Sequence, residues 1–339
     1  MLAHIRYMKS LNQKNIILVF IISIILILFF HRTYKYNDDT IPIIFIGGSY
    51  RSGTTLMRVM LDAHPLIRCG EETRIVPRFL EFMARNFQKD KKLQKAGLTK
   101  DMLNQAARSF ISSIVSLHGK SAPNLCTKDP ENLRHSMYLS QLFPNSKFIL
   151  MIRDARATIN SIKTHGLLAG GYSTGYQDNF KNWNSLIEEM YSQCLTIGDD
   201  RCLPVYYEQL VLHPENEMRK ILKFLNIPWN DDVLEHEKKI GAKIKLAKIE
   251  ISSDQVIKPV NLEGLNSWFG KIPLQVLIQI DTLAPMLKKL GYDTKSKKPN
   301  YSKADMMIRE SILNNKNNRK IWIEVANNYT KEKFYKYFN

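Results

Sequence analysis

The sequence predicts an α/β fold in which helices flank a central parallel sheet. Three apolar segments indicate strands: IPIIFIGG at 41–48, SKFILMIRD at 146–154 and CLPVYYEQL at 202–210. Each is followed by a segment with the spacing of a helix, and strands that alternate with helices are typical of parallel sheets. Residues 73–118, between the first two strands, are predicted to be mostly helical.

The three helices that follow the strands support this assignment. The first, in SGTTLMRVMLDAH, has one apolar face and ends before Pro65. The second is ARATINSIKTH, and the third lies in HPENEMRKILKFLNIPW, which is amphipathic. The apolar faces of the first and third helices consist of Leu56, Met57, Met60, Leu61, Met218, Ile221, Leu222 and Leu225.

Composition and charge limit the kinds of partner that the chain is expected to bind. The chain has 339 residues, of which 44% are hydrophobic, enough for a buried core, and its formal net charge is +17. This basic excess favours anionic partners such as nucleic acid, a membrane surface, a phosphorylated cofactor or an acidic peptide, although solvated basic faces would also produce it. No zinc finger, homeodomain, zipper or RRM signature is present, so we expect no nucleic-acid partner.

A charge-free segment, NIILVFIISIILILFF, precedes the first strand. As a helix it would be roughly 24 Å long, slightly less than a ~30 Å hydrocarbon core. No small-residue cleavage site follows it. We therefore expect a signal-anchor helix at 15–32, after a cytosolic tail at 1–14 and before a short stem at 33–40. A buried core helix is the alternative.

A lumenal domain at 41–300 and a weakly patterned basic tail at 301–339 would follow this anchor. The sequons at Asn300 and Asn328 are predicted glycosylation sites. All four cysteines would be lumenal, and their spacings match no zinc site, so we predict disulfides and no metal site. Four cysteines allow three pairings. They are Cys69, Cys126, Cys194 and Cys202, of which the last two bracket a short segment that a disulfide would close.

A phosphate-binding loop follows the first strand. The stretch GSYRSGTT, which begins at Gly48, has the spacing G-x-x-x-x-G-K-[ST], but Thr54 stands in place of the lysine that reaches the β- and γ-phosphates in nucleotide triphosphatases. Backbone N–H groups and the helix N-terminus would still bind an anion. The loop therefore suits a nucleotide with one phosphate on its 5′ side, with Arg51 as an added cation. A purely structural turn is the alternative.

The sequence resembles the tyrosylprotein sulfotransferase family over roughly residues 42–300. YRSGTT resembles the 5′-phosphosulfate loop of sulfotransferases, PRSGTT, and further segments resemble this family in order: RCGEETRIVPR, LCTKDPE, MIRDARATINS, CLPVYYEQLVLHP and SSDQVIKPVN. The resemblance implies a P-loop-like sulfotransferase fold. It also implies a single-pass type II Golgi enzyme, expected to be a homodimer. Such an enzyme transfers sulfuryl from 3′-phosphoadenosine 5′-phosphosulfate (PAPS) to tyrosines in acidic stretches of secreted and membrane proteins.

The resemblance also assigns catalytic roles. A phenol, whose pKa is near 10, needs a base at neutral pH, and the family pattern places it at Glu72. Arg51 and Lys128 would supply positive charge around the sulfuryl group and its bridging oxygen, and Ser252 would lie near that group. Because Cys69 and Cys126 flank the base and the lysine, a disulfide between them would tie the two together.

The donor is expected to bind the phosphate loop and the segment that follows the second strand, with residues 252–261 as a cover. The predicted donor-binding residues are Arg51, Ser52, Gly53, Thr54, Thr55, Arg153, Ser161, His165, Tyr207, Ser252, Ser253, Asp254, Gln255, Val256, Ile257, Lys258, Pro259, Val260 and Asn261. Arg74 and Arg78, four residues apart, are expected to share a helical face and to pair with carboxylates of the acceptor peptide.

Three residues depart from the family pattern. Tyr50 replaces the loop proline, His165 stands where an arginine contacts the 3′-phosphate, and Ser267 stands where a lysine is expected. Either the loss of these two cations weakens PAPS affinity, or Lys163 or Lys271 replaces their charge locally. A carbohydrate sulfotransferase, a small-molecule kinase and an inactive PAPS-binding scaffold are the rival hypotheses.

Overall fold

The computed structural model describes residues 21–24, 42–87, 91–168, 170–247, 250, 252–301 and 313–330. The chain divides into two units, residues 1–40 and 41–339, and the sheet and the site belong to the second. The predicted signal anchor at 15–32 lies outside the described residues, apart from residues 21–24, which are helical. Of the helices that the structure describes, none combines the length and the apolar character that a membrane span requires.

Five parallel strands form the central sheet, in the order β2-β3-β1-β4-β5. The strands are β1 (Ile43–Gly48), β2 (Ile67–Arg68), β3 (Asn124–Lys128), β4 (Lys147–Ile152) and β5 (Cys202–Tyr206). The central strand β1 pairs with β3 on one side and with β4 on the other. Every residue of β1 is buried, which explains why its sequence is apolar without alternation.

Helices connect the strands and cover both faces of the sheet. The α-helices with defined bounds are α1 (Thr54–Ala63), α2 (Ile75–Asn86), α3 (Lys91–Lys95), α4 (Lys100–Leu117), α5 (Ser136–Leu142), α6 (Ala155–Thr164), α7 (Tyr176–Ile197), α8 (Tyr207–Leu212), α9 (Pro214–Leu225), α10 (Ser253–Val256), α11 (Glu263–Asn266), α12 (Leu274–Ile278), α13 (Ile280–Leu283), α14 (Met286–Lys289) and α15 (Arg319–Thr330). In the part of the chain that the structure describes, three short 3₁₀ helices lie at Pro130–His135, Asp231–Leu234 and His236–Lys239.

The core lies on both faces of the sheet because successive strand residues point to opposite sides. Phe45 and Phe148 stack on one face, with ring centroids 5.4 Å apart. Ile44 and Ile46 point to the other face, where they meet α1 and α9. Full burial of each such side chain contributes about 1.5–3 kcal/mol. The α/β class and the parallel sheet predicted from the sequence are confirmed.

The predicted strand at 202–210 is wrong in its second half. The strand ends at Tyr206, and the chain continues directly into α8. This turn buries Glu208, whose carboxylate accepts hydrogen bonds from the Asp154 N–H and the Tyr292 hydroxyl, each at 2.9 Å. Because these hydrogen bonds satisfy the buried carboxylate, the helical turn outweighs the preference of Tyr206 and Tyr207 for a strand.

Two disulfides join parts of this fold. Cys69, just after β2, pairs with Cys126 in β3, and Cys194 in α7 pairs with Cys202 at the start of β5. The second disulfide closes the short loop between this helix and this strand. The first holds the short edge strand β2 to its neighbour, and the segment that contains Glu72 begins just beyond it.

Candidate active site

A cavity of about 330 Å³ lies beyond the carboxyl ends of β1 and β4. It brings together these residues predicted to bind the donor: Arg51, Gly53, Thr55, Arg153, Ser161, His165, Tyr207, Ser252, Gln255, Val256, Lys258, Pro259, Val260 and Asn261. Ser52, Thr54 and Ile257 are not among the lining residues. The side chains of Ser253 and Asp254 lie outside what the structure describes.

Further lining residues were not predicted: Leu56, Asn160, Thr164, Glu263 and Gly264. On α6, Thr164 follows Ser161 by three residues and Asn160 precedes Thr164 by four, so their helical spacing could have revealed them. Gly264 and Glu263 follow the predicted cover and carry no local signal.

The phosphate loop turns sharply at two left-handed residues, Arg51 with φ 66° and Gly53 with φ 96°. A Cβ at Gly53 would come within 2.5 Å of a Tyr207 ring carbon, so only glycine permits both the turn and this contact. The helix α1 begins at the next residue, Thr54, and its free N–H groups make this end suited to an anion.

Two buried arginines surround the loop. The Nε of Arg51 donates to Ser161 Oγ at 3.0 Å and its Nη2 to Gln255 Oε1 at 2.8 Å, and Nη1 bonds Ser252 Oγ. Arg153 donates to the Arg51 carbonyl at 2.8 Å and lies 4.3 Å from the centre of the Tyr207 ring. Its Nε is buried and has no hydrogen-bond partner among the described residues. These cations and the unsatisfied donor fit an anionic ligand.

A buried lysine from β3 lies beside α1. Lys128, 1% exposed, donates to Glu72 Oε2 at 2.5 Å, to Glu250 Oε1 at 3.1 Å and to Thr55 Oγ1 at 3.4 Å. Because Thr55 also lines the cavity, this charged cluster adjoins it. Glu250 was missed by sequence reasoning. The structure thus brings the predicted base and the predicted lysine into direct contact.

The two adjacent glutamates have different surroundings. Glu72 is held by Lys128 and by Arg74, whose Nε donates to its other oxygen at 3.1 Å. Glu71 lies 3.7 Å from His118 Nε2 instead. The acidic pair therefore contains one carboxylate bound to the lysine and one at the periphery.

The prediction that Arg74 and Arg78 share a helical face is wrong. The helix α2 begins at Ile75, and Arg74 precedes it with a left-handed φ of 58°. Asp129 holds this turn by accepting the Arg74 N–H at 2.8 Å. Arg78 is exposed on α2.

The Asp129 carboxyl has few charged partners of its own. Burial, followed by the neighbouring Glu72 charge, raises its pKa to about 7. It lies directly after Lys128, yet the Lys128 ammonium bonds Glu72 and Glu250. Asp129 therefore acts mainly as a hydrogen-bond acceptor for the Thr73–Arg74 turn.

Comparison with known proteins places these residues in a family. Residues 42–231 match the profile of the "Sulfotransferase family". The chain is 50% identical to "Protein-tyrosine sulfotransferase" of Drosophila melanogaster over 86% of its own length and 59% of the fly protein. It is 52% identical to "Protein-tyrosine sulfotransferase 2" of Gallus gallus over 82% of its length and 76% of that protein. It is also 50% identical to "Protein-tyrosine sulfotransferase 1" of Homo sapiens, over 83% of its own length and 77% of the human protein.

Solved structures share the fold. The sulfotransferase domain of the Synechococcus PCC 7002 olefin synthase superposes with a TM-score of 0.51 at 21% identity, over 75% of this chain and 96% of that domain. The sulfotransferase domain of the curacin biosynthetic pathway superposes with a TM-score of 0.52 at 21% identity, over 75% of this chain and 98% of that domain. At this identity the likeness concerns the fold alone.

Asp129 should make the stability of the fold depend on pH. Its pKa is about 7 in the folded chain against 3.8 as the ordinary value, so the folded state binds the proton more tightly. Its contribution to the free energy of unfolding is therefore complete below about pH 4 and is lost as the pH rises through about 7. Between about pH 4 and about pH 8, the free energy of unfolding should therefore decrease by a few kcal/mol less in Asp129→Asn than in the wild type. Urea unfolding at the two pH values measures this difference.

Asp281→Asn, at an exposed position on α13, is the control and should keep the wild-type pH dependence. Burial also raises the pKa of Glu208 to about 7, but this residue contributes equally in the wild type and in both variants. An unchanged pH dependence in Asp129→Asn would contradict the assignment.

Proposed function

Because the chain belongs to the protein-tyrosine sulfotransferase family, we propose that it transfers the sulfuryl group of PAPS to tyrosine hydroxyls in acidic stretches of secreted and membrane proteins, with adenosine 3′,5′-bisphosphate as the other product. One observation carries the proposal: Glu72, paired with the buried Lys128, adjoins a phosphate loop that lacks its lysine. A carboxylate base and a cation beside an anion-binding loop are what transfer to a phenol requires.

The cavity fits a donor with anionic groups at both ends. The α1 N-terminus and Arg51 would hold the 5′ phosphosulfate, and Arg153 with Ser161 would hold the 3′-phosphate. The unsatisfied Nε of Arg153 and the aromatic face of Tyr207 support this orientation. PAPS supplies an activated sulfuryl group and a phosphate leaving group. The chain's own residues must bind it, neutralise the leaving oxygen and exclude water.

Glu72 would act as the base. One of its oxygens is bound by Lys128, while the other accepts from Arg74, whose side chain is 41% exposed. The acceptor hydroxyl would take the place of this exposed arginine contact, so that its proton passes to Glu72 Oε1. Arg74, once displaced, would be available for an acidic residue of the peptide, as would the exposed Arg78.

Positive charge would meet the negative charge that develops during transfer. Lys128, fixed beside Thr55, would stabilise the sulfuryl group and the bridging oxygen, and Arg51 would act from the donor side. The hydroxyl of Ser252, already bonded to Arg51, would contact the same region. These groups are held before the donor binds, so little reorganisation is needed.

The 3′-phosphate side departs from the family pattern. His165 and Ser267 both line the cavity, and so does Lys271, whereas the Lys163 ammonium bonds the Thr174 carbonyl. Lys271 is therefore the nearer substitute for the missing charge. His165 donates through Nδ1 to the Ser161 carbonyl oxygen at 2.8 Å, which leaves Nε2 for the ligand.

The cellular setting is proposed together with the activity. The chain would be a type II protein of the Golgi membrane, anchored by residues 15–32, with a lumenal catalytic domain at 41–300. It is expected to form a homodimer. The two disulfides support an oxidising lumen. Asn300 and Asn328 are both exposed and would carry glycans.

Sulfate transfer to an acidic tyrosine peptide tests the activity and the base together. Glu72→Ala should lower kcat by roughly 10²–10⁴ because the phenol loses its proton acceptor, while binding of PAPS stays nearly unchanged. Glu71→Ala should lose far less, since Glu71 lies beside His118 and away from Lys128. Transfer of radiolabelled sulfate from PAPS measures both variants, and full activity in Glu72→Ala or equal losses in the two would refute the base assignment.

His165→Arg should tighten binding of adenosine 3′,5′-bisphosphate by about tenfold, because a guanidinium adds a charge-assisted hydrogen bond to the 3′-phosphate. Adenosine 5′-monophosphate, which lacks that phosphate, is the matched ligand and should bind the variant and the wild type alike. Calorimetric titration gives both affinities. An equal gain for the two nucleotides would show that His165 does not face the 3′-phosphate.

A further inference from the structure

Glu250 is a buried carboxylate with three partners in the catalytic cluster. It is 5% exposed, and it accepts hydrogen bonds from Arg58 Nη2 at 2.8 Å, from Lys128 Nζ at 3.1 Å and from the Glu72 backbone N–H at 3.0 Å. Arg58 belongs to α1, Lys128 to β3, and Glu72 to the segment after β2. One side chain thus connects three elements that surround the site.

The charge of Glu250 is balanced by its neighbours. Burial alone would raise its pKa, but the charges of Lys128 and Arg58, with the hydrogen bonds it accepts, lower the pKa overall. The carboxylate is therefore ionised at neutral pH. Arg58, which is fully buried, also lies 3.7 Å from Asp62, so that acidic and basic groups alternate from Asp62 through Arg58 and Glu250 to Lys128 and Glu72.

We propose that Glu250 is a positioning residue for sulfuryl transfer, holding the Lys128 ammonium and the Glu72 main chain in their catalytic arrangement. This inference rests on the proposed function. When Glu72 takes the phenol proton, it becomes neutral and no longer balances Lys128. Glu250 then remains as the carboxylate partner of that buried ammonium, whose desolvation would otherwise be uncompensated.

The same segment also reaches the donor side. Ser252 and Gln255, a few residues after Glu250, bond the Arg51 guanidinium of the phosphate loop. Glu250 therefore anchors the segment on the acceptor side while its neighbours anchor it on the donor side. This connection fixes the distance between the base and the donor cation, a geometry on which transfer rates depend steeply.

Glu250→Gln tests the proposal, because the amide keeps the size of the side chain and removes its charge. We expect kcat to fall by about 10- to 100-fold, because a small misplacement of reacting groups can cost about 10²-fold in rate, with the affinity for PAPS unchanged. The acid limb of the kcat–pH profile should move to lower pH, since the base loses a neighbouring negative charge while Lys128, Arg58, Arg74 and Asp129 remain. Glu235→Gln, at an exposed glutamate paired with Lys238, is the control and should match the wild type.

Glu250→Asp keeps the charge but shortens the side chain, so it should lower kcat less and leave the acid limb at its wild-type pH. Wild-type kcat in Glu250→Gln, or equal losses of kcat and PAPS affinity with an unmoved acid limb, would overturn the proposal. If Glu250→Gln does not fold, Glu250→Asp decides: a lower kcat with unchanged PAPS affinity supports positioning, and wild-type kcat or a joint loss refutes it. A wild-type chain that transfers no sulfate would instead refute the proposed function.

Discussion

The buried ammonium of Lys128 is the constraint on which the site depends. A charge with 1% exposure is stable only when carboxylates compensate it, and two arrive from positions 56 and 122 residues away, Glu72 and Glu250. The β1–β3 register sets Lys128 opposite Ile46, two residues before the phosphate loop begins at Gly48. Lys128 therefore lies beside a loop in which Thr54 occupies the usual lysine position.

This arrangement separates the site from that of a nucleotide triphosphatase. There, the loop lysine binds the β- and γ-phosphates directly. Here, the nearby lysine is engaged by two carboxylates, while Arg51 and Arg153 face the cavity from the loop and from the end of β4. The arginines suit two separate anionic groups, and the paired lysine suits a transfer in which its neighbour, Glu72, changes charge.

Much of this site was predictable because its residues lie in continuous motifs. The loop, Glu72, Lys128 and Arg153 stand in short segments next to strands, where local pattern and family resemblance identify them. Glu250 could not be found in this way, since its role comes only from contacts with distant elements. The left-handed turn at Arg74 was missed for the same reason, because a carboxylate 55 residues away holds it.

The strands also differ in how well their own sequences predict them. The buried strands β1 and β4 were evident from their apolar sequences, whereas β2 has only two residues and β3 contains polar ones.

The phosphate loop is expected to bind a nucleotide with separate 5′ and 3′ anionic groups rather than a triphosphate. Competition binding to the full chain tests it: adenosine 3′,5′-bisphosphate should bind at least about 100-fold more tightly than magnesium ATP, a difference of about 2.7 kcal/mol. Equal or tighter binding of ATP would show that the loop binds a triphosphate instead.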